Sequence, residues 1–241
     1  ASDIELYDEF PQDYLSYTSR QHRWIRGDWQ IAEWILPRVP RRGGRRGPNP
    51  VSWFDRWKIL DNLRRSLVPA TNLSLLVASW LVSPRMAWMS FIVVGVQMIF
   101  TPLVEPFTRA TTRRGLKSLS LFKVGHDLVR GIVDASLLPH QGWLALDAIL
   151  RVGYRRLISH RKLLEWTSAE VTQWNSPRST RMFIGLLSLG GVLSVAMAWA
   201  VESWRPSSLL AAGPWLALWI VSPLVGWLLI RRPEPKQEQL K

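Results

Sequence analysis

The sequence predicts an all-α membrane protein fragment, with four transmembrane helices in two hairpins and amphipathic helices lying at the bilayer interface. Three observations predict it. The apolar residues, 47% of the 241, gather into four long runs. The charges outside those runs are mostly basic, for a formal net charge of +13. The segments between the runs carry apolar residues at helical spacing. Basic residues beside long apolar runs suit anionic lipid headgroups better than nucleic acid, so no nucleic-acid partner is expected. With no cysteine there is neither a disulfide framework nor a thiolate metal site. His22, His126, His140 and His160 show no metal-ligand spacing. The chain opens Ala1-Ser2-Asp3, without initiator methionine or leader, which suggests a piece of a longer polypeptide.

Residues 1–17 are acidic and tyrosine-rich and read as an exposed connector; Asp8 and Glu9 are followed closely by Pro11, and nothing fixes them for acid–base work. Over residues 16–36, Tyr17, Trp24, Ile25, Trp29, Ile31, Ala32, Trp34 and Ile35 recur at roughly helical spacing, which predicts an amphipathic interfacial helix. Residues 37–50 hold seven breakers, Pro37, Pro40, Gly43, Gly44, Gly47, Pro48 and Pro50, around Arg38, Arg41, Arg42, Arg45 and Arg46, and no regular element is expected there. Residues 1–50 thus form one unit.

Residues 52–66 predict a second amphipathic helix, with Trp53, Trp57, Leu60 and Leu63 against Arg56, Lys58, Arg64 and Arg65. It leads into apolar runs at 67–82 and 86–104, joined by Ser83-Pro84-Arg85, so that 51–107 is the first membrane hairpin. The run at 67–82 is short for a span, and a re-entrant hairpin remains open. Residues 108–181 predict cytoplasmic interfacial helices. The clearest covers 141–166, where Trp143, Leu146, Leu150, Tyr154, Leu157 and Ile158 face one way. Runs without a charge at 182–201 and 209–230 give the second hairpin within 182–230, and 231–241 is a polar tail.

Lysine and arginine set the orientation. Residues 1–66 hold 12, residues 108–181 hold 13 and the tail holds 4, whereas the two short turns hold only Arg85 and Arg205. The positive-inside rule therefore places the three basic segments in the cytoplasm and both turns outside.

The unusual stretch is Arg20-x-x-Arg23-Trp24, followed by Arg26-Gly27-Asp28-Trp29-Gln30. Planar guanidinium groups suit diphosphate and flat aromatic rings suit sugar. A helix that merely snorkels into lipid explains the same residue types without a ligand. The stretch resembles the [Q/R]xxRW motif of inverting, membrane-embedded processive glycosyltransferases. Together with Ser2-Asp3-Ile4-Glu5-Leu6-Tyr7, the segment from Asp55 to Leu67, and Leu164-Glu165-Trp166-Thr167, it resembles the transferase region of cyclic β-1,2-glucan synthases.

That resemblance implies a bacterial inner-membrane protein in which Arg20 and Arg23 meet the leaving diphosphate and Trp24 stacks on the acceptor glucose, with Arg26, Asp28 and Trp29 in support. It implies UDP-glucose as donor, a growing β-1,2-glucan as acceptor, Mg²⁺ as cofactor and inversion at the anomeric carbon. The aspartate-rich metal motif and the catalytic base that precede this motif in such enzymes are not evident here. They are expected in a GT-A-type catalytic domain of the same polypeptide upstream of Ala1, so the chain by itself is expected to be inactive. Two other readings stay open: a processive synthase of a different polysaccharide, and a non-catalytic anchor or transporter fragment. Against a transporter, neither run of the second hairpin contains an acid, a lysine or a histidine.

Overall fold

The structure is a computed structural model and describes residues 14–41, 44–110, 121–161 and 180–230. Its described part is helical apart from one small hairpin of strands. The order is α1 (Tyr14–Gln30), a 3₁₀ turn (Ala32–Ile35), β1 (Arg38–Pro40), β2 (Arg46–Pro48), α2 (Trp53–Val82), α3 (Pro84–Ala110), α4 (Leu121–Ser136) and α5 (Leu138–Tyr154). After these come a π turn (Arg155–Ser159), α6 (Thr180–Trp204), a 3₁₀ turn (Pro206–Ser208), α7 (Leu209–Ile220) and α8 (Ser222–Ile230).

Among the described residues, Trp53–Val82, Leu187–Trp204 and Pro206–Leu229 are long and apolar enough to cross a membrane, and Pro84–Ile99 is a shorter apolar helix. The amphipathic helix and first run expected separately at 52–66 and 67–82 are one continuous α2. Ser52 starts it by accepting the Asp55 N–H at 3.1 Å. Pro69 lies inside it without ending it. The last run is divided instead: Pro214 sits within α7, but the chain turns at Val221 before Pro223 and restarts as α8.

The spans pack through a shared core in which Leu76, Trp80, Val94, Val201, Ala212 and Trp219 are buried together. Trp80 lies 5.3 Å from Trp219, and Phe91 meets Trp215 edge-on. Polar side chains tie the helices where lipid offers no competing partner. Ser79 and Ser90 share a hydrogen bond of 2.6 Å between α2 and α3, and Ser194 donates to the Leu216 carbonyl at 2.7 Å. Ser222 donates to the Leu187 and Trp219 carbonyls. Gly190 lets α6 approach there, because a Cβ on it would stand 2.9 Å from the Ser222 hydroxyl.

The basic stretch 37–50, read as having no regular element, forms the β1–β2 hairpin with Val39 opposite Gly47 and fully buried. Its prolines sit at strand ends, where a missing N–H leaves the short ladder intact, and Gly44 supplies a left-handed residue in the connection. Asn49 then fastens the hairpin by donating to the Trp34 and Leu36 carbonyls at 2.6 and 2.9 Å. The helix expected over 141–166 ends earlier, at Tyr154, followed by the π turn and left-handed His160. The Ser2–Tyr7 and Leu164–Thr167 motif segments and the tail lie outside the described residues.

The orientation is testable because Ser83 and Ser207 lie in the two short turns. Cysteines placed at these positions are expected to label from outside intact cells, and cysteine at Arg46 only after permeabilisation. Labelling at 207 without labelling at 83 would make the first hairpin re-entrant.

Candidate functional site

The RxxRW segment lies on α1, and the helix has two sides with different tasks. Leu15, Thr18 and Ile25 are buried, at i, i+3 and i+10, and define the inner side. Ile25 packs on Ala145 and Ala148 of α5, while Leu15 meets Leu137 and Leu187. Tyr17, Trp24 and Ile31, three of the apolar positions expected on an interfacial helix, are substantially exposed. The helix also stops at Gln30, and the residues that follow turn as 3₁₀.

Arg20, Arg23, Trp24 and Gly27 stand at i, i+3, i+4 and i+7, so they share one stripe on the outer side of α1. The Arg20 guanidinium carbon sits 4.4 Å from the centroid of the Trp24 ring, whose side chain is 56% exposed. Arg20 and Arg23 are half-buried, and Gly27 is exposed with open space where a side chain would be. The structure thus brings the three motif residues onto one surface.

The other three residues named from the sequence point elsewhere. The Trp29 indole N–H donates to the Ser66 hydroxyl at 2.9 Å, and Asp28 accepts from Asn62 at 3.4 Å. Both bonds fasten α1 to α2. Arg26 lies near His22, close enough to disfavour a charge on that imidazole.

A second set of contacts, from α5, was not visible in the sequence. The Tyr14 hydroxyl bonds His140 Nδ1 at 3.2 Å, and His22 Nε2 bonds Asp147 Oδ2 at 2.8 Å. Arg156 donates to the Gln30 carbonyl and pairs with Glu33. The partners are separated by 126, 125, 126 and 123 residues, a nearly constant offset, so α1 and α5 run in parallel and in register. Arg151 also donates to Asp147, at 2.6 Å, which holds the acceptor in place for His22. Burial pulls the His22 imidazole below its usual range. Burial likewise pushes His140 down to about 4. Both rings are therefore neutral at pH 7, so His22 in its Nε2–H tautomer donates to Asp147 and the His140 Nδ1 accepts from Tyr14. A signal existed only in retrospect: His22, His140 and Asp147 are polar residues on helices otherwise read as lipid-facing.

The outward face of α5 does carry Trp143, Leu146, Leu150 and Tyr154 as expected, the π turn after it carries Leu157 and Ile158, and all six are exposed. The Trp53, Phe54 and Trp57 side chains at the start of α2 are exposed as well, with Arg56 near the Trp53 ring and Lys58 over Phe54. Among the described residues no three carboxylate or histidine side chains converge, so these residues do not fit a divalent-cation site.

No family model matches the chain. It is similar to a cyclic β-(1,2)-glucan synthase of Rhizobium meliloti (strain 1021), with 29% identity over 247 residues that cover 98% of this chain. The chain spans 8% of the length of that relative. The likeness first carried by four short segments therefore extends along nearly the whole sequence, and the chain resembles a membrane portion of the cyclic β-1,2-glucan synthases.

Proposed function

We propose that this chain is the membrane-embedded part of an inverting, processive glucosyltransferase that elongates a β-1,2-glucan from UDP-glucose, and that the outer stripe of α1 forms the acceptor and leaving-group side of its site. The single observation that carries the reading is the stripe itself: two arginines and an exposed tryptophan on one surface of a helix pinned from behind by α2 and α5. Transfer to a hydroxyl requires an acceptor held in line and a departing diphosphate whose charge is stabilised as it forms. Arg20 and Arg23 offer paired N–H donors to phosphate oxygens, and Arg20 also holds one face of the Trp24 ring. The opposite face is left for the apolar side of a glucose unit.

The base and the Mg²⁺ ion belong, on this reading, to the catalytic domain of the same polypeptide, and no step assigned to this chain runs through the metal. Anionic lipid meets the exposed aromatic and basic residues of α2 and α5, with the basic segments on the cytoplasmic side of a bacterial inner membrane. The test is linkage analysis of glucan made from UDP-glucose by the full-length protein in membranes. The reading predicts 1,2-linked residues throughout. Product linked predominantly through another position would replace the reading with a different polysaccharide synthase, and no product would favour an anchor.

A further inference from the structure

Behind the outer stripe, α1, α2, α3, α4 and α5 enclose a pocket of about 580 Å³. That volume lies within the roughly 300–1,000 Å³ usual for small-ligand sites. Nearly half of its wall is polar although α2 and α3 are apolar helices: Thr18 and Gln21 come from α1, Asn72 from α2, Gln97 from α3 and Gln141 from α5. Its charged lining residues, Arg65 and Arg130 with Asp127 and Asp134, balance in sign, and Arg65 and Arg130 each pair with an aspartate.

Asn72 is the informative residue. It is only 6% exposed, it lies in the apolar half of a helix long enough to span a membrane, and its Nδ2 has no hydrogen-bond partner among the described residues. An amide placed there without a partner is costly. Three residues earlier Pro69, also in the pocket wall, brings no N–H to the Arg65 carbonyl. The pocket therefore offers amide donors and acceptors without a net charge. An anion would need excess positive charge, and an acyl chain would leave the buried Asn72 amide unpaired, whereas a neutral polyol pairs with amides, carboxylates and a hydroxyl and lays its C–H faces on the apolar part of the wall. Tyr14 and Tyr17, stacked with centroids 6.1 Å apart, also line it, and Tyr17 lies on the same edge of α1 as Trp24, seven residues on.

We propose that this pocket is a second sugar subsite, in which a β-1,2-linked gluco-oligosaccharide segment remote from the reacting end is held with Asn72 as its buried anchor. The proposal rests on the glucan reading above and names where the chain goes after it leaves Trp24. Holding a distal segment keeps a growing acceptor bound between additions, which is what elongation without release requires.

The experiment is calorimetric titration of β-1,2-linked glucotriose into the full-length protein in lipid nanodiscs, for wild type, Asn72→Leu and Gln141→Ala. Losing a buried hydrogen bond should weaken binding about tenfold in each variant, with UDP-glucose affinity unchanged. Gln141→Ala, on a different helix, guards against misfolding of Asn72→Leu. Equal affinity in all three proteins overturns the subsite while leaving the proposed transferase function standing. So does the absence of trisaccharide binding in a wild-type protein that still makes 1,2-linked glucan, which would leave the pocket holding water alone. Displacement of the trisaccharide by inorganic phosphate or by phosphatidylglycerol would make it an anion site and overturn the proposal as well.

Discussion

In the full-length protein, Trp24→Leu is expected to reduce glucan elongation at least about tenfold while UDP-glucose binding and membrane association persist. Leucine keeps much of the apolar area that an interfacial anchor needs but removes the π face that a sugar ring or a guanidinium packs against. The structure sharpens the expectation, because the ring is more than half exposed and Arg20 lies over it. The substitution therefore also releases Arg20 from its resting place, so under the proposed function a leaving-group contact should weaken together with the acceptor platform. The measurement is glucan chain length and UDP release in membranes. Normal elongation with leucine at this position would leave Trp24 as an anchor.

Arg23→Ala is expected to slow transfer by at least about tenfold, which corresponds to roughly 1.4 kcal/mol of lost transition-state stabilisation. The effect should fall on turnover more than on donor affinity, because charge on the diphosphate grows as the bond to the sugar breaks. Arg23→Lys should recover part of the rate, since it restores charge but not the planar fork of donors. Arg23 lies on the outer side of α1, one turn from Gly27 and away from buried Ile25, and the Ile25 packing and the Trp29–Ser66 and His22–Asp147 bonds are made by other side chains. Unchanged single-turnover rates in a folded Arg23→Ala protein would exclude it from the site.

What the sequence could disclose depended on whether a signal was local. The uncharged runs at 182–201 and 209–230 showed their nature through length alone, and the outward face of α5 through the spacing of Trp143, Leu146, Leu150 and Tyr154. The RxxRW residues stood out because arginine and tryptophan at i, i+3 and i+4 fall on one helical stripe. The β1–β2 hairpin did not stand out, since its stability comes from Asn49 reaching back to Trp34 and Leu36 and from burial of Val39, neither of which breaker composition encodes. The inner side of α1 was hidden for a related reason. Thr18 and His22 look like solvated positions until α5, about 125 residues later, brings Asp147 alongside. Asn72 is an intermediate case: an amide in an apolar run is visible in one dimension, but only the packing of five helices turns it toward a pocket.

The central claim is that the outer stripe of α1 faces the reacting sugar and nucleotide rather than lipid. Gly27 tests it directly, because it is exposed, lies on the stripe and has open space where a side chain would go. A photoreactive benzoylphenylalanine placed at this position in the full-length protein, irradiated during synthesis from UDP-[¹⁴C]glucose, should trap labelled glucan on the protein. The same probe at Trp199, an exposed position on membrane helix α6, should trap only lipid. Label captured at position 27 and not at 199 is the result the account predicts. Lipid alone captured at position 27, while glucan synthesis proceeds normally, would contradict it.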